Sequence, residues 1–201
     1  NDKYMLTNGG IGMTSHVAEK INTDRKLVPG FKNLMKLTGS KIYPLYFGKE
    51  MLAPLKRYKL HIESDDFPYL NKEVNASILM INNQAKIGGN FLIAPETKNN
   101  DGKFNVTIFT HDSKLELIKC TLLMMQGKYP QNDPNIISFE TDSIDITALE
   151  DNMTFFGDGE ILEKGKSFII KNMPQALNVC SYDNQLMYCN SFSLDKVELM
   201  R

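Results

Sequence analysis

The chain has 201 residues, enough for one sizeable domain, with 42% hydrophobic and 23% charged residues and a formal net charge of -1. This ordinary balance excludes general attraction to nucleic acid or an anionic surface through bulk charge, so partners must be sought in local sites. No run of about 18 apolar residues marks a membrane-spanning helix.

The opening NDKYMLTNGG has no initiator Met and no basic stretch followed by an apolar core, so no signal peptide is read, and a start at Asn points to a piece of something longer. Next, KYMLTNGGIGMTSHVAEKIN predicts a short strand, a tight glycine turn and a helix from about Thr14 to Ile21. Gly9, Gly10 and Gly12 match neither G-x-G-x-x-G nor the Walker spacing, so no phosphate loop is assigned. FKNLMKLTGSKIYPLYFGKEML predicts further helix from Phe31, with a rough 3.6 period broken at Gly39 and stopped near Pro44.

From Tyr58 the pattern changes to short apolar runs between turn residues, the mark of a β-rich region. The predicted strands are YKLHIE, ASILMINN, GNFLIAP, FNVTIFT, IISFETDSIDIT, MTFFG and KSFIIKN. SKLELIKCTLLMMQGK interrupts them with apolar residues at Leu115, Leu117, Ile118, Leu122 and Met125 and a closing Gly, a helix of about three turns. No internal repeat or low-complexity linker divides the chain, so one β-rich domain with peripheral helices is expected. Cys120, Cys180 and Cys189 form no C-x-x-C pair and, being three, cannot all join in intrachain disulfides, so a reduced, cytoplasmic protein is expected. The sequons at Asn75, Asn105 and Asn152 are read as chance products of an Asn-rich chain.

Taken in order, NGGIGMTSHVAEKIN, INNQAKIGGNFLIAPETKNNDGKFNVTIF, SKLELIKCTLLMMQGK, FFGDGEIL and KSFIIKNMPQALNVCS resemble the C-terminal half of the diacylglycerol kinase and sphingosine kinase superfamily, especially its soluble bacterial lipid kinases. The resemblance covers roughly residues 4 to 181 and rests on the order and distances of the motifs, since none is specific alone. It implies a mainly β, sandwich-like domain, residues 1–181, that receives the lipid, and it leaves residues 182–201 as a tail of unclear role. It also implies a magnesium- and ATP-dependent phosphoryl transfer to a diacylglycerol-like or sphingoid alcohol. The nucleotide loop G-G-D-G-T of the superfamily's N-terminal domain is absent from this sequence, so that domain is an expected partner and the isolated chain is expected to be inactive. Transient peripheral contact with a membrane surface and a homodimer are further expectations; nucleic acid is not a partner.

FFGDGEIL sets Asp158 and Glu160 on either side of Gly159. A plain hairpin accounts for the Asp-Gly step. By resemblance the proton acceptor for the lipid hydroxyl lies in this turn, with Glu160 favoured and Asp158 as orienting partner or the base itself. KNNDGK reads as a hairpin loop; it lacks the further ligands and final Glu of a calcium loop. The resemblance places a magnesium ion there, on the Asp101 carboxylate and the main-chain carbonyls of Lys98 and Lys103. His16 stands where relatives often carry an acid near the lipid head group, a departure that weakens any substrate-binding role. His61 and His111 show no metal-ligand spacing and receive no role. The competing readings are a stand-alone, non-catalytic lipid-binding module and a β-sandwich interaction domain whose D-G-E and N-N-D-G turns are only turns.

Overall fold

The computed structural model of the chain describes residues 3–66, 72–182 and 189–200. In chain order the elements are β1 (Lys3–Met5), β2 (Asn8–Gly12), α1 (Met13–Leu27), α2 (Phe31–Thr38), a 3-10 turn (Gly39–Lys41), α3 (Ile42–Glu50), β3 (Tyr58–Glu63), β4 (Lys72–Ala76) and β5 (Ile78–Asn82). There follow β6 (Lys86–Ile87), β7 (Phe91–Leu92), β8 (Phe104–Phe109), α4 (Lys114–Met125), β9 (Ile136–Thr141), β10 (Ser143–Ala148), β11 (Met153–Gly157), β12 (Glu160–Gly165), β13 (Ser167–Tyr182) and β14 (Cys189–Met200). Two six-stranded antiparallel sheets result, ordered β1-β14-β13-β10-β3-β4 and β12-β11-β2-β5-β8-β9, with β6 and β7 as a separate small ribbon.

The sheets pack face to face. Leu60, Ile62, Ile144, Ile146 and Phe168 of the first sheet meet Ile11, Leu79, Ile81, Val106 and Phe155 of the second in one buried cluster. Each such side chain contributes about 1.5–3 kcal/mol when fully buried. The first sheet shows the alternation of a half-solvated sheet, as in the buried-exposed sequence of β3. The second is covered on both faces, which explains why β5 (ILMIN) and β8 (FNVTIF) are buried throughout. Its outer face carries α1 and α4 over Met80, Phe109 and Phe156. Thus Phe155 enters the sandwich core while Phe156, one residue on, packs on the helix side.

Three local expectations are corrected. The glycines of N-G-G-I-G lie within β2 rather than in a tight turn, because β2 is squeezed between β5 and β11: a Cβ on Gly10 would stand 2.1 Å from the Leu79 carbonyl oxygen. Helix α1 runs six residues past Ile21, to Leu27, and stops at an extended Val28, the conformation that the following Pro29 imposes. Pro44 does not stop a helix; it is the third residue of α3, where its missing N–H has no intrahelical partner to lose. In α4 the helix is as the sequence predicts and Ser113 caps it, but the buried face is Leu117, Cys120, Thr121 and Met124, leaving Leu115 and Leu122 exposed. Asn105 of the second sequon is buried in β8, where no glycan fits. The closing segment, unassigned by motif, pairs as β14 with both β1 and β13.

Candidate functional site

Asp158 and Gly159 form the two-residue connection between β11 and β12, with Gly157 facing Glu160 across it. Their φ values are 52° and 83°, the left-handed pair that a type I′ hairpin demands. The Asp158 carboxylate accepts hydrogen bonds from the Leu6 and Thr7 N–H groups, at 2.7 and 2.8 Å, and from the Thr7 hydroxyl. Its own N–H donates to the Asn8 carbonyl. Asp158 therefore fastens the turn to the link between β1 and β2.

Glu160, 53% exposed, accepts from Arg25 Nη2 on both oxygens, at 2.7 and 3.0 Å. Asn22 of the same helix donates to the Gly159 carbonyl, and Lys164 of β12 pairs with Glu19. Helix α1 is thus strapped along the hairpin. Tyr43 of α3 approaches the turn so closely that a Cβ on Gly159 would lie 2.8 Å from its hydroxyl oxygen. Burial, and then the negative charge of Glu160, raise the pKa of Tyr43, with Arg25 opposing them, so the phenol stays a hydrogen-bond donor. Sequence patterning gave no sign of Tyr43 or Arg25, since their part depends on helices folding back over a hairpin more than a hundred residues away.

An apolar cavity of about 440 Å³ opens beside this turn. Helix α1 lines it with Thr14, Val17 and Ala18, α3 with Tyr43, Pro44 and Phe47, the ribbon with Lys86, Ile87 and Phe91, and α4 with Thr121 and Met125. Asp158 and Gly159 form part of the wall; Glu160, the next residue, stands outside the lining with Arg25. The volume and composition suit a small, largely apolar ligand.

The other predicted residues lie elsewhere. His16 lines a separate polar cleft with Glu19, Lys20, Thr23 and Asp24, on the face of α1 opposite Thr14, Val17 and Ala18. Its ring meets the Tyr58 hydroxyl at 2.9 Å and Glu50 at 3.4 Å. His61 is paired with Glu63. Asp101 is exposed, accepting from the Lys103 N–H through Oδ1, and the Lys103 ammonium reaches Asp66. This loop is held from β14 by Asp195, a carboxylate only 1% exposed, which accepts from the Gly102 and Gln175 N–H groups and the Asn172 amide. Asp195 also donates its N–H to the Asn99 carbonyl. One carboxylate and two main-chain carbonyls are hard oxygen donors of the kind magnesium takes, so the loop's residues fit that ion in kind.

A two-sheet β-sandwich with a glycine-squeezed strand carries an apolar cavity, with Asp158 and Gly159 of the D-G-E hairpin in its wall. Residues 32–181 match the family described as the YegS C-terminal NAD kinase beta sandwich-like domain, and the chain belongs to that family. It is 30% identical over 183 residues to the "Probable lipid kinase YegS-like" protein of Enterobacter sp. (strain 638), covering 89% of this chain and 53% of that one. It is 31% identical over 146 residues to the "Lipid kinase YegS" of Escherichia coli (strain K12), covering 73% and 45%. The fold is similar to a candidate diacylglycerol kinase from Bacillus anthracis str. Sterne, with a TM-score of 0.56 at 17% identity over 84% of this chain and 53% of that one. The chain spans about half the length of the curated relatives it matches. Among the described residues, no helix is long and apolar enough to cross a membrane.

Proposed function

We propose that this chain is the lipid-receiving half of an ATP-dependent lipid kinase, whose nucleotide-binding half lies outside the sequence. The observation that carries the reading is the apolar cavity with Asp158 and Gly159 of the D-G-E turn in its wall and Glu160 next to them. The acyl or sphingoid chain fills the cavity and presents its hydroxyl at Asp158 and Gly159. Glu160 takes the hydroxyl proton as the oxygen bonds to the γ-phosphorus, and the leaving ADP keeps the electron pair of the broken P–O bond. Glu160 suits this part better than Asp158, whose oxygens already receive three donors, whereas Glu160 is half exposed and exchanges one cation. The Tyr43 phenol, which lines the cavity beside the turn, is available to donate a hydrogen bond to the bound lipid. Lys98, Asp101 and Lys103 would hold magnesium, which when bound supplies positive charge and order to their loop. His16 is left aside because its ring is engaged in the other cleft. A non-catalytic lipid-binding module is the second reading, favoured by the engagement of both Glu160 oxygens with Arg25.

Helices α1 to α3 supply a route to membrane lipid. Leu27, Leu34, Leu37, Leu45 and Leu52 are exposed, interspersed with exposed Lys26, Lys32, Lys36, Lys41 and Lys49. Between Arg25 and Leu52 the sole acid is Glu50, which is paired with Lys20. Apolar side chains among cations match an anionic bilayer surface. Mixed with phosphatidylcholine vesicles containing anionic lipid and a diacylglycerol, the chain should sediment with them and retain lipid on re-isolation. Thr14→Phe, which places a ring in the cavity, should reduce retained lipid about tenfold while leaving sedimentation intact, and Leu37→Glu should weaken sedimentation. Equal retention by wild type and Thr14→Phe would remove the cavity from the reading. Equal sedimentation by wild type and Leu37→Glu would remove the helices.

A further inference from the structure

Three residues that the lipid site does not use converge at the far end of β8. His111 follows that strand and is fully buried, Cys120 lies on the inner face of α4 at 3% exposure, and Asp133 sits in the loop before β9, partly open to solvent. One donor atom from each lies within 4.8 Å of the others. The His111 ring cannot satisfy both nitrogens: Nε2 is 3.0 Å from Asp133 Oδ2, while Nδ1 is buried without a partner. A buried polar atom left unpaired costs free energy and calls for an explanation.

We propose that His111, Cys120 and Asp133 form a binding site for a divalent transition metal of the zinc class, with a fourth position open on the Asp133 side. An imidazole nitrogen, a thiolate and a carboxylate are the donors such ions take, and three protein ligands leave one place for water. A tetrahedral ion with bonds of about 2.0–2.3 Å separates its ligands by roughly 3.3–3.8 Å, so small side-chain rotations close the set. On binding, Cys120 releases its thiol proton to solvent and a sulfur–metal bond forms; no electrons are transferred. The donor set is softer than the oxygens of the 98–103 loop, so magnesium belongs there and not here. The alternative of a Cys-His-Asp nucleophile fails on access. Its thiol is sealed on the buried face of α4, out of reach of a substrate. The ion would pin α4 to the ends of β8 and β9. Because Thr121 and Met125 of α4 line the apolar cavity, occupancy would stiffen one wall of the lipid site.

Cobalt(II) is the probe. Titrated into the tag-free, chelator-treated chain, it should bind once per chain and give a thiolate-to-cobalt charge-transfer band, with zinc but not magnesium displacing it. Cys120→Ser should abolish the band and weaken zinc binding about 100-fold or more. Asp133→Asn, at the partly exposed ligand, keeps the core packing and should weaken zinc binding at least about tenfold. The proposal is overturned if the wild-type band is absent, if it survives Cys120→Ser, or if zinc raises the melting temperatures of wild type and Cys120→Ser equally.

Discussion

In a protein that carries the nucleotide-binding half as well, Glu160→Gln should lower kcat by roughly 10² to 10⁴ with little change in apparent lipid KM. The amide keeps the shape of the hairpin, since the Glu160 side chain contributes no hydrogen bond to the turn and only the Arg25 contact is weakened. What it removes is the ability to accept the lipid proton. Asp158→Asn should behave differently. Its carboxylate meets donors alone, two N–H groups and a hydroxyl, so an amide nitrogen turned toward Leu6 or Thr7 opposes a donor with a donor. That substitution should lower the melting temperature and reduce activity through displacement of the turn. The two roles are therefore separated by measuring kcat beside thermal stability. A larger loss of kcat in Asp158→Asn, at unchanged melting temperature, would reverse them. Near wild-type kcat in both would make the turn structural.

Much of this arrangement is written locally. The period-two run YKLHIE becomes β3 with alternating burial, Asp-Gly becomes the I′ turn, and Ser113 caps α4 where a Ser precedes a helical pattern. What escapes the sequence depends on contacts between distant segments. Gly9, Gly10 and Gly12 look like a turn because glycine is poor in strands; only the closeness of the Phe156, Leu79 and Ser77 carbonyls makes it necessary there. The acids of FFGDGEIL are equivalent on paper. The link at Leu6 and Thr7 claims Asp158 and helix α1 claims Glu160, and neither can be foreseen from the octapeptide. The spacings from His111 to Cys120 and to Asp133 match no metal motif, because α4 and the loop after it bring the three together. In β14 a buried Asp195 interrupts the apolar alternation that marks strands, so the segment carries no clear strand signal.

That same Asp195 should be among the costliest positions in the chain to change. Opposite it, β13 bulges: Met173 pairs with Lys196 and Leu177 with Leu194, so three residues on one strand face one on the other. Within the bulge Gln175 holds a φ of 54°, a left-handed conformation unfavourable to a long side chain, and its N–H is held by Asp195 at 2.8 Å. Asp195→Ala removes the acceptor from Gly102, Gln175 and Asn172 together. At about 1–3 kcal/mol for each buried donor left unpaired, and with water entering to satisfy part of the deficit, the loss should be about 3–5 kcal/mol. For a domain of this size that lowers the melting temperature by roughly 6–20 °C. Magnesium makes the test specific to the 98–103 loop. In wild type the ion should raise the melting temperature by binding the folded state alone. Asp101→Ala should melt like wild type without magnesium and show no rise with it, because Asp101 is exposed and its loss disturbs only the loop. Asp195→Ala should start lower and also show no rise, since the loop it fastens no longer holds Lys98, Asp101 and Lys103 in place. A full magnesium-dependent rise in Asp195→Ala would show that the buried carboxylate braces the bulge without organising the loop.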